Sequence, residues 1–306
     1  MKVLVTGGCG FIGSHTVDML VEQGHQVVVV DNLLAGDAHN LNSQAEFYKV
    51  DITSDELKNI FQKFMPEVVY HLAAQIDIQK SIKEVGFDAH INILGTINVL
   101  DCCRAYRVGK IIYASSAAVY GNPQYLGVDE LHPINPISFY GISKHTPEHY
   151  IMTYSELYGI GYTILRYSNA YGPRQDPKGE GGVISIFIDK MLKGIQPTIF
   201  GDGEQTRDFI YVRDVALANL AALKTGEGDI INVSTNTAVT VNQLFSTMRS
   251  IINFIGEPIY GPVRKGDIIH SYLDNDKALR VLSWKPQFTI EEGLRETMEY
   301  YCQKQS

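Results

Sequence analysis

A glycine-rich turn between an apolar run and a helix-like segment constrains the fold of this chain more than any other feature. Residues 1–5 predict a short buried strand, residues 6–13 a turn, and residues 14–23 a helix that ends at Gly24. The glycines of the turn satisfy both G-x-G-x-x-G and an alternative three-residue spacing: Gly7, Gly8, Gly10 and Gly13. Such residues let backbone N–H groups at a helix start approach a pyrophosphate. The segment therefore predicts the first unit of a dinucleotide-binding α/β fold.

A second apolar run ends in an acidic residue where an adenosine ribose would lie. Residues 26–30 predict the next strand, and Asp31 follows it directly. A carboxylate here would accept hydrogen bonds from ribose hydroxyls and would repel a 2′-phosphate. The alternative, a glycine turn that merely packs a helix on a strand, is disfavoured by this second strand and its carboxylate. We therefore expect NAD rather than NADP as the cofactor.

Size and composition indicate a fully folded protein with one large core and a smaller lobe. The chain has 306 residues, 45% of them hydrophobic, and a formal net charge of −8, which disfavours a broad nucleic-acid surface. No apolar run approaches the roughly 18 residues of a membrane span. The four cysteines lack metal or disulfide spacing, and the N-terminus leads straight into a strand rather than a signal peptide. We expect a cytoplasmic protein with no metal, nucleic-acid partner or membrane contact.

Strand-like runs alternate with helical segments through the first half of the chain. They are residues 3–5, 27–30, 46–50, 68–71, 111–115 and 162–166. This alternation predicts a doubly wound parallel sheet of the Rossmann type. After residue 172 the loops become longer and richer in Gly and Pro, before a predicted helix over residues 183–193. We expect an NAD-binding domain over residues 1–171, to which the chain returns within about residues 207–240, and a smaller C-terminal substrate-binding lobe over residues 172–306.

Polar or small residues follow several predicted strands, at the sheet edge where ligands of this fold class bind. Asp51 follows the third strand and could hydrogen-bond an adenine, although a helix N-cap is the alternative. Residues 72–75, after the fourth strand, are small enough at their centre for a flat cofactor to lie on the backbone. Ser115 and Ser116 end the fifth strand, and Asn169 follows the sixth, where it would touch substrate.

Of the Tyr-x-x-x-Lys pairs in this sequence, one lies where a catalytic pair would be expected, on a helix beside the predicted cofactor site. The chain holds three such pairs, but the pair at 106/110 runs out of a helix into a strand, and the pair at 300/304 is expected to lie in a frayed C-terminal tail. Tyr140 and Lys144 instead follow Ser138, a suitable helix N-cap. Their i, i+4 spacing places both side chains on one helix face.

Ser116, Tyr140 and Lys144 together predict proton and hydride chemistry on a hydroxyl group. A phenol of pKa ~10 must fall by roughly three units, about 4 kcal/mol, to act as a base near neutral pH. The Lys144 ammonium and an oxidised nicotinamide could supply the required positive charge.

Asn92, Arg207 and Arg264 each allow two interpretations. Asn92 lies within an otherwise apolar helix, which is more typical of a buried hydrogen-bond anchor than of a catalytic group, so we expect it to support the backbone of the site. The two arginines lie in short motifs flanked by turns. Converging arginines would bind a diphosphate, but each residue alone is equally compatible with a solvated surface charge.

Five motifs together resemble the extended short-chain dehydrogenase/reductase family, and within it the UDP-glucose 4-epimerase group. The motifs are residues 6–13, 115–121, 140–144, 165–173 and 207–212, and the resemblance extends from residue 1 to about residue 284. It implies that Tyr140 is the base and shares the sugar hydroxyl with Ser116, while Lys144 holds the nicotinamide ribose. It also implies a nucleotide-sugar substrate of the UDP-hexose type, and a homodimer in which helices over residues 91–103 and 140–158 form a bundle.

The resemblance also assigns contacts residue by residue. Phe11 and Ile12 would present backbone to the pyrophosphate, Asp31 and Asn32 would bind the adenosine ribose, and Asp51 and Ile52 the adenine. The remaining expected cofactor contacts are Gly7, Gly10, Gly13, Leu72, Ala73, Ala74, Gln75, Asn92, Ser115, Tyr140, Lys144 and Tyr167. The expected substrate contacts are Ser116, Tyr140, Asn169, Val183, Thr198, Phe200, Arg207, Arg264, Asp267 and Ser271.

Ala117 and Ala118 narrow the expected reaction. Sugar-nucleotide 4,6-dehydratases of the family carry an acid pair after the catalytic hydroxyl residue, and this chain has two alanines there. We therefore expect oxidation at C4 followed by re-reduction, which is a redox-neutral 4-epimerisation. The alternatives are a UDP-uronate 4-epimerase, another NAD-dependent nucleotide-sugar oxidoreductase, or a non-catalytic dinucleotide-sensing scaffold.

Ser271 is expected to decide how bulky a sugar the site accepts. In the family, a large aromatic residue at this point closes the pocket around the C2 substituent, whereas a small residue opens it. A serine predicts that N-acetylated UDP-hexoses are accepted together with UDP-glucose and UDP-galactose. The alternative is that the neighbouring His270 or Tyr272 fills the gap.

Overall fold

The computed structural model describes residues 1–177, 182–263 and 268–305. The strands are β1 (Lys2–Thr6), β2 (Gln26–Val30), β3 (Glu46–Tyr48), β4 (Val68–His71), β5 (Lys110–Ser116), β6 (Gly161–Tyr167), β7 (Asn169–Tyr171), β8 (Thr198–Phe200), β9 (Thr206–Arg207), β10 (Phe209–Tyr211), β11 (Asp229–Val233), β12 (Val239–Thr240) and β13 (Ile259–Gly261). The α-helices are α1 (Phe11–Glu22), α2 (Leu57–Phe64), α3 (Ile78–Lys83), α4 (Val85–Ala89), α5 (Gly95–Ala105), α6 (Phe139–Tyr158), α7 (Val183–Leu192), α8 (Val212–Ala222), α9 (Val241–Ile252), α10 (Asp276–Leu282) and α11 (Ile290–Gln305). A π-helical turn, His90–Leu94, joins α4 to α5, and short 3-10 turns occupy Ala38–Asn40 and Ala117–Val119.

Seven parallel strands form the central sheet in the order β11-β6-β5-β4-β1-β2-β3. The order reverses between β1 and β4, which is the crevice where ligands bind in doubly wound sheets. Strands such as β2, with four consecutive buried valines, carry nearly continuous apolar runs because helices cover both faces of the sheet. The doubly wound α/β fold expected from the sequence is confirmed.

Apolar side chains form one layer on each face of the sheet and a third cluster beyond it. On one face α1, α8 and α10 pack against the strands, with Leu20 and Leu282 among the buried residues. On the other face α2, α5 and α6 do so, with Phe61 and Leu100 buried. The third cluster joins α7, α9 and α11 around residues such as Phe245. No helix in the described ranges is long and apolar enough to cross a membrane.

The sequence placed most elements closely, but two helices start differently from expectation. Helix α1 begins at Phe11 rather than at residue 14, because Gly10 in extended backbone is already its N-cap. The segment predicted as a helix over residues 91–103 begins as the π-helical turn, and α5 itself starts at Gly95. The 300/304 pair does not lie in a frayed tail but inside α11, which continues to Gln305. The 106/110 pair spans the end of α5 and the start of β5, as expected.

Candidate active site

The glycine turn after β1 leaves a cradle in which a dinucleotide pyrophosphate fits. Gly7 has φ +72°, and a Cβ added there would lie 2.7 Å from the Ala73 nitrogen, so only glycine is tolerated. A Cβ on Gly13 would collide with the Gly7 carbonyl oxygen. No side chain caps the N-terminus of α1 at Gly10. No capping side chain therefore occupies the first N–H groups of α1. These N–H groups are the hydrogen-bond donors that bind a pyrophosphate at a helix N-terminus.

The carboxylate of Asp31 is fixed beside this turn. Its Oδ2 accepts the Cys9 N–H at 3.0 Å and its Oδ1 accepts the Leu33 N–H at 2.8 Å. Carboxylate oxygens have further lone pairs that can receive ribose hydroxyls. Asn32 donates through Nδ2 to Asp51 Oδ2 at 2.7 Å, so these two expected ribose and adenine contacts lie together. The other oxygen of Asp51 accepts the Thr53 N–H and hydroxyl in a local turn. Asp51 is not a helix N-cap, because α2 begins only at Leu57 with Glu56 at its N-cap position.

Tyr140 and Lys144 lie on α6 next to Ser116 at the end of β5. The Ser138 hydroxyl accepts the Gly141 N–H at 3.0 Å and so starts the helix as predicted. The Lys144 ammonium lies 4.5 Å from the centroid of the Tyr113 ring, and the residue is only 3% exposed. The Ser116 side chain lies close enough to the Tyr140 phenol to lower its pKa. The structure therefore brings the three predicted catalytic residues together.

In the protein without cofactor, burial shifts the pKa values of Tyr140 and Lys144 in the directions that disfavour a tyrosinate beside an ammonium. Burial raises the pKa of Tyr140, the hydrogen bond from Ser116 opposes the shift, and the charge of Asp88 adds to it. Burial also lowers the pKa of Lys144 to about 7, although the charges of Glu148 and Asp88 act in the other direction. The lowered phenol pKa that the base role needs is thus absent from the protein by itself. A low-dielectric site penalises both charged forms.

A buried ion pair supports the strands beneath this site. Glu148 accepts from Arg166 through Nε at 3.0 Å and through Nη2 at 2.6 Å, and both side chains are almost fully buried. The Ser115 hydroxyl donates to Glu148 Oε1 at 2.6 Å, so the side chain of Ser115 is already engaged inside the protein. Burial alone would raise the pKa of Glu148, but hydrogen bonds from His145, Arg166 and Ser115 bring it down to about 2.

Asn92 anchors the loop after β4. Its Oδ1 accepts the Gln75 N–H at 2.8 Å, and its Nδ2 donates to the Gln75 carbonyl at 2.9 Å and to the Ser143 hydroxyl at 2.9 Å. Residues 72–75 are therefore tied to α6. Tyr167, a further expected cofactor contact, is buried in the core and its hydroxyl donates to Asn219. A cofactor contact there would have to come from the ring edge or the backbone.

A cavity of about 420 Å³ opens beside Tyr140. Six of the expected substrate contacts line it: Tyr140, Asn169, Val183, Thr198, Phe200 and Arg207. Ser271 is not among the lining residues, and its N–H donates to the Thr206 carbonyl at 3.3 Å. Arg264 and Asp267 lie outside the described residues. The cavity size falls within the range of ligand pockets.

Sequence reasoning missed several lining residues, of which Gln175 is the most informative. It lies in the Gly- and Pro-rich loop after β7 and lines the cavity. Its Oε1 is buried and, among the described residues, finds no hydrogen-bond partner, while its Nε2 donates to the Ala170 carbonyl at 3.3 Å. A buried acceptor without a donor is an available contact for a ligand hydroxyl or amide. The only indication in the sequence was the position of Gln175 in the Gly- and Pro-rich loop at the start of the predicted substrate-binding lobe.

Known proteins match this chain over its whole length. A putative UDP-glucose 4-epimerase of Methanocaldococcus jannaschii is 52% identical over 97% of each chain. The structure of UDP-glucose 4-epimerase with UDP-glucose from Thermotoga maritima superposes with a TM-score of 0.98 at 46% identity and covers 100% of both chains. The Thermus thermophilus UDP-glucose 4-epimerase in complex with NAD gives a TM-score of 0.93 at 38% identity over 99% of each chain.

The family model agrees with these similarities and with the cofactor cradle. It spans residues 3–234, which include the glycine turn, Tyr140, Lys144 and the strands of the central sheet. With this match and relatives at such identity over nearly the full length, the chain belongs to the NAD dependent epimerase/dehydratase family.

Proposed function

We propose that this protein is an NAD-dependent nucleotide-sugar 4-epimerase that interconverts UDP-glucose and UDP-galactose. The observation that carries the proposal is the position of Tyr140, which lies beside Ser116, shares a helix face with Lys144 and lines the cavity together with expected substrate contacts. The relatives named above, one solved with UDP-glucose and one with NAD, support the choice of substrate and cofactor.

In this proposal the side chains of the protein move one proton and orient one hydroxyl. NAD, when bound, supplies a reversible acceptor for the hydrogen at C4 of the sugar. Tyr140 takes the proton from the O4 hydroxyl and later returns it, while Ser116 holds that hydroxyl in place. Because burial raises the pKa of Tyr140, the phenolate needs a nearby positive charge, which the Lys144 ammonium provides.

The residues after Ser116 support epimerisation over elimination. Ala117 and Ala118 begin the 3-10 turn that follows β5, and neither can donate a proton. Removal of water from the sugar would require an acid near the leaving hydroxyl. Because this chain has no acid at the expected place, we expect the hydrogen to return to C4, which gives epimerisation rather than loss of water.

The organisation of the chain follows from the same proposal. Residues 1–171 form the NAD-binding part, to which the chain returns within about residues 207–240, and residues 172–306 form the nucleotide-sugar lobe, with Arg207 and Arg264 on the diphosphate. A homodimer through α5 and α6 is supported by exposed apolar side chains on α6, such as Ile142 and Leu157, and by the exposed Leu94 directly before α5. We place the enzyme in the cytoplasm.

The proposal is tested by incubating the purified protein with a panel of UDP-, dTDP- and GDP-sugars and separating the products by chromatography. Interconversion of UDP-glucose and UDP-galactose without net change in the NAD pool is expected. Turnover of UDP-glucuronate but not of UDP-glucose, a product that has lost water, or net consumption of NADH would assign the protein to another activity of the family.

The purified protein is expected to carry NAD rather than NADP. The Asp31 carboxylate lies beside the glycine turn and would repel a 2′-phosphate, and a cofactor restored in every turnover has no need to leave. Denaturing the protein and quantifying the released dinucleotide checks this. Mostly NADP in the supernatant would remove the role of Asp31.

Replacing Ser271 by tyrosine is expected to lower kcat/KM for UDP-N-acetylgalactosamine by at least about tenfold, with a smaller effect on UDP-galactose. Ser271 does not itself line the cavity, but its N–H bonds to the Thr206 carbonyl, between the lining residues Gln205 and Arg207. We expect the longer tyrosine side chain to enter the pocket from there, where a contact discriminates by roughly 10–200-fold. The ratio of the two kcat/KM values is the measurement. The matched control is Ser250→Tyr, on the exposed side of α9. An unmoved ratio, or a wild type that already rejects the acetylated sugar, would assign the enzyme to plain hexoses.

A further inference from the structure

Asp88 is a buried carboxylate that lacks a full set of partners. It lies in α4 and is 1% exposed. Its Oδ1 accepts from Gln75 Nε2 at 2.8 Å and from Asn92 Nδ2 at 3.3 Å. Its Oδ2 is buried and has no hydrogen-bond partner in the part of the chain that the structure describes. Burying a carboxylate costs free energy unless the group is paired, so the position of Asp88 needs an explanation.

The hydrogen bonds of Asp88 tie it to the helix that carries Tyr140 and Lys144. Asn92 Nδ2, which donates to Asp88, also donates to the Ser143 hydroxyl next to Lys144. Gln75, the second donor to Asp88, belongs to the loop that Asn92 holds. The carboxylate is thus fixed relative to α6 by two amide side chains, neither of which carries a charge.

Among the described groups that face Lys144, only Asp88 offers a carboxylate that is not already paired with a cation. From α6, Glu148 is the stronger influence on Lys144, but it is held at two points by Arg166 of β6. From β4, burial first and then the Lys144 charge lower the pKa of His71 to about 3, so this ring is neutral. From β5, burial raises the pKa of Tyr113 well above its ordinary value, so this phenol is neutral as well.

Asp88 acts on both members of the pair. Its charge raises the pKa of Lys144 and that of Tyr140. We propose that Asp88 is a positioning residue for the reaction, and that its buried carboxylate is the counter-charge of the Lys144 ammonium and sets the pH range in which Tyr140 and Lys144 together hold a single proton. This inference rests on the proposed function, because it concerns the same catalytic pair.

The sign of the effect follows from coupled titration. In the active form, Tyr140 and Lys144 together hold one proton, whereas the fully protonated pair holds two and the fully deprotonated pair none. The pH range of the active form therefore lies between the two macroscopic pKa values of the pair. A nearby negative charge favours proton binding in both steps. Removing this charge must therefore move both limits of the active range to lower pH.

The test is the pH dependence of kcat/KM for UDP-galactose in the NAD-bound Asp88→Asn enzyme. We expect the whole profile to move down by about one pH unit, as the loss of a neighbouring charge implies. Asparagine keeps the acceptor for Gln75 and removes a buried charge, so the urea midpoint should stay equal to wild type or rise. Asp88→Glu, which retains the charge, should keep the profile of wild type.

Asp55→Asn is the matched control for net charge. The Asp55 side chain is 96% exposed and pairs with Lys58, so its variant should leave the profile unmoved. A lower urea midpoint with an unmoved profile in Asp88→Asn would show a structural role only and would overturn the inference. If the asparagine variant does not fold, Asp88→Ser carries the same test. A wild type without epimerase activity would instead refute the proposed function.

Discussion

Replacement of Tyr140 by phenylalanine is expected to lower kcat by about 10²–10⁴-fold, the contribution of a positioned general base. Phenylalanine keeps the ring that lines the cavity and removes only the hydroxyl that lies beside Ser116. The content of bound NAD and the urea midpoint should therefore stay close to wild type. The rate is measured by withdrawing samples at increasing times and quantifying the product formed from UDP-galactose by chromatography.

Tyr300→Phe is the matched control for this variant. Tyr300 belongs to a second Tyr-x-x-x-Lys pair, in α11, with the Lys304 ammonium 5.9 Å from its ring centroid. The same atom is removed from the same residue pattern, but away from the glycine turn, so turnover should remain that of wild type. Equal turnover in Tyr140→Phe and wild type would end the catalytic interpretation of the 140/144 pair.

Replacement of Glu148 by alanine is expected to reduce the free energy of unfolding by about 3–5 kcal/mol, the cost of leaving one member of a buried ion pair without its partner. The Arg166 guanidinium would lose both of its bonds to Glu148, and the Ser115 hydroxyl would lose its acceptor. Urea unfolding at neutral pH measures the loss. Glu291→Ala, which removes an exposed i, i+4 pair with Arg295, should cost about 0.5 kcal/mol or less.

The same ion pair predicts how stability depends on pH. The pKa of Glu148 is about 2 in the folded protein and that of a free glutamate is higher, so its contribution is complete above the ordinary carboxyl range. It is lost as pH falls through that range toward about 2. The difference in urea midpoint between wild type and Glu148→Ala should therefore shrink in acid. A constant difference would assign the effect to packing alone.

The sheet and the cofactor cradle could be predicted because their signals are local. The valine run of β2, the spacing of Gly7, Gly10 and Gly13, and the cap at Ser138 depend on neighbouring residues, and the structure has each feature where the sequence placed it. The start of α1 was placed three residues late because Phe11 and Ile12 were assigned to the turn.

The rest of the site depends on contacts between distant parts of the chain. The shift of the Tyr140 pKa arises from burial, which no spacing reveals. Glu148 and Arg166 were not singled out, although a charged residue inside an apolar strand was a signal for a buried pair. Asp88 and Gln175 are recognisable only in three dimensions, where one side-chain oxygen of each has no hydrogen-bond partner among the described residues.

The position of β11 at the edge of the central sheet has a consequence for how the protein can be made or divided. β11 pairs with β6 along residues 229–233, long after the chain has left the sheet at residue 167. Until that segment is synthesised, β6 presents a row of unpaired backbone groups on an apolar strand, which is a template for association with other chains. A fragment that ends after β6 should therefore aggregate, and a nascent chain passes through this exposed state for the time needed to translate the segment that completes the sheet.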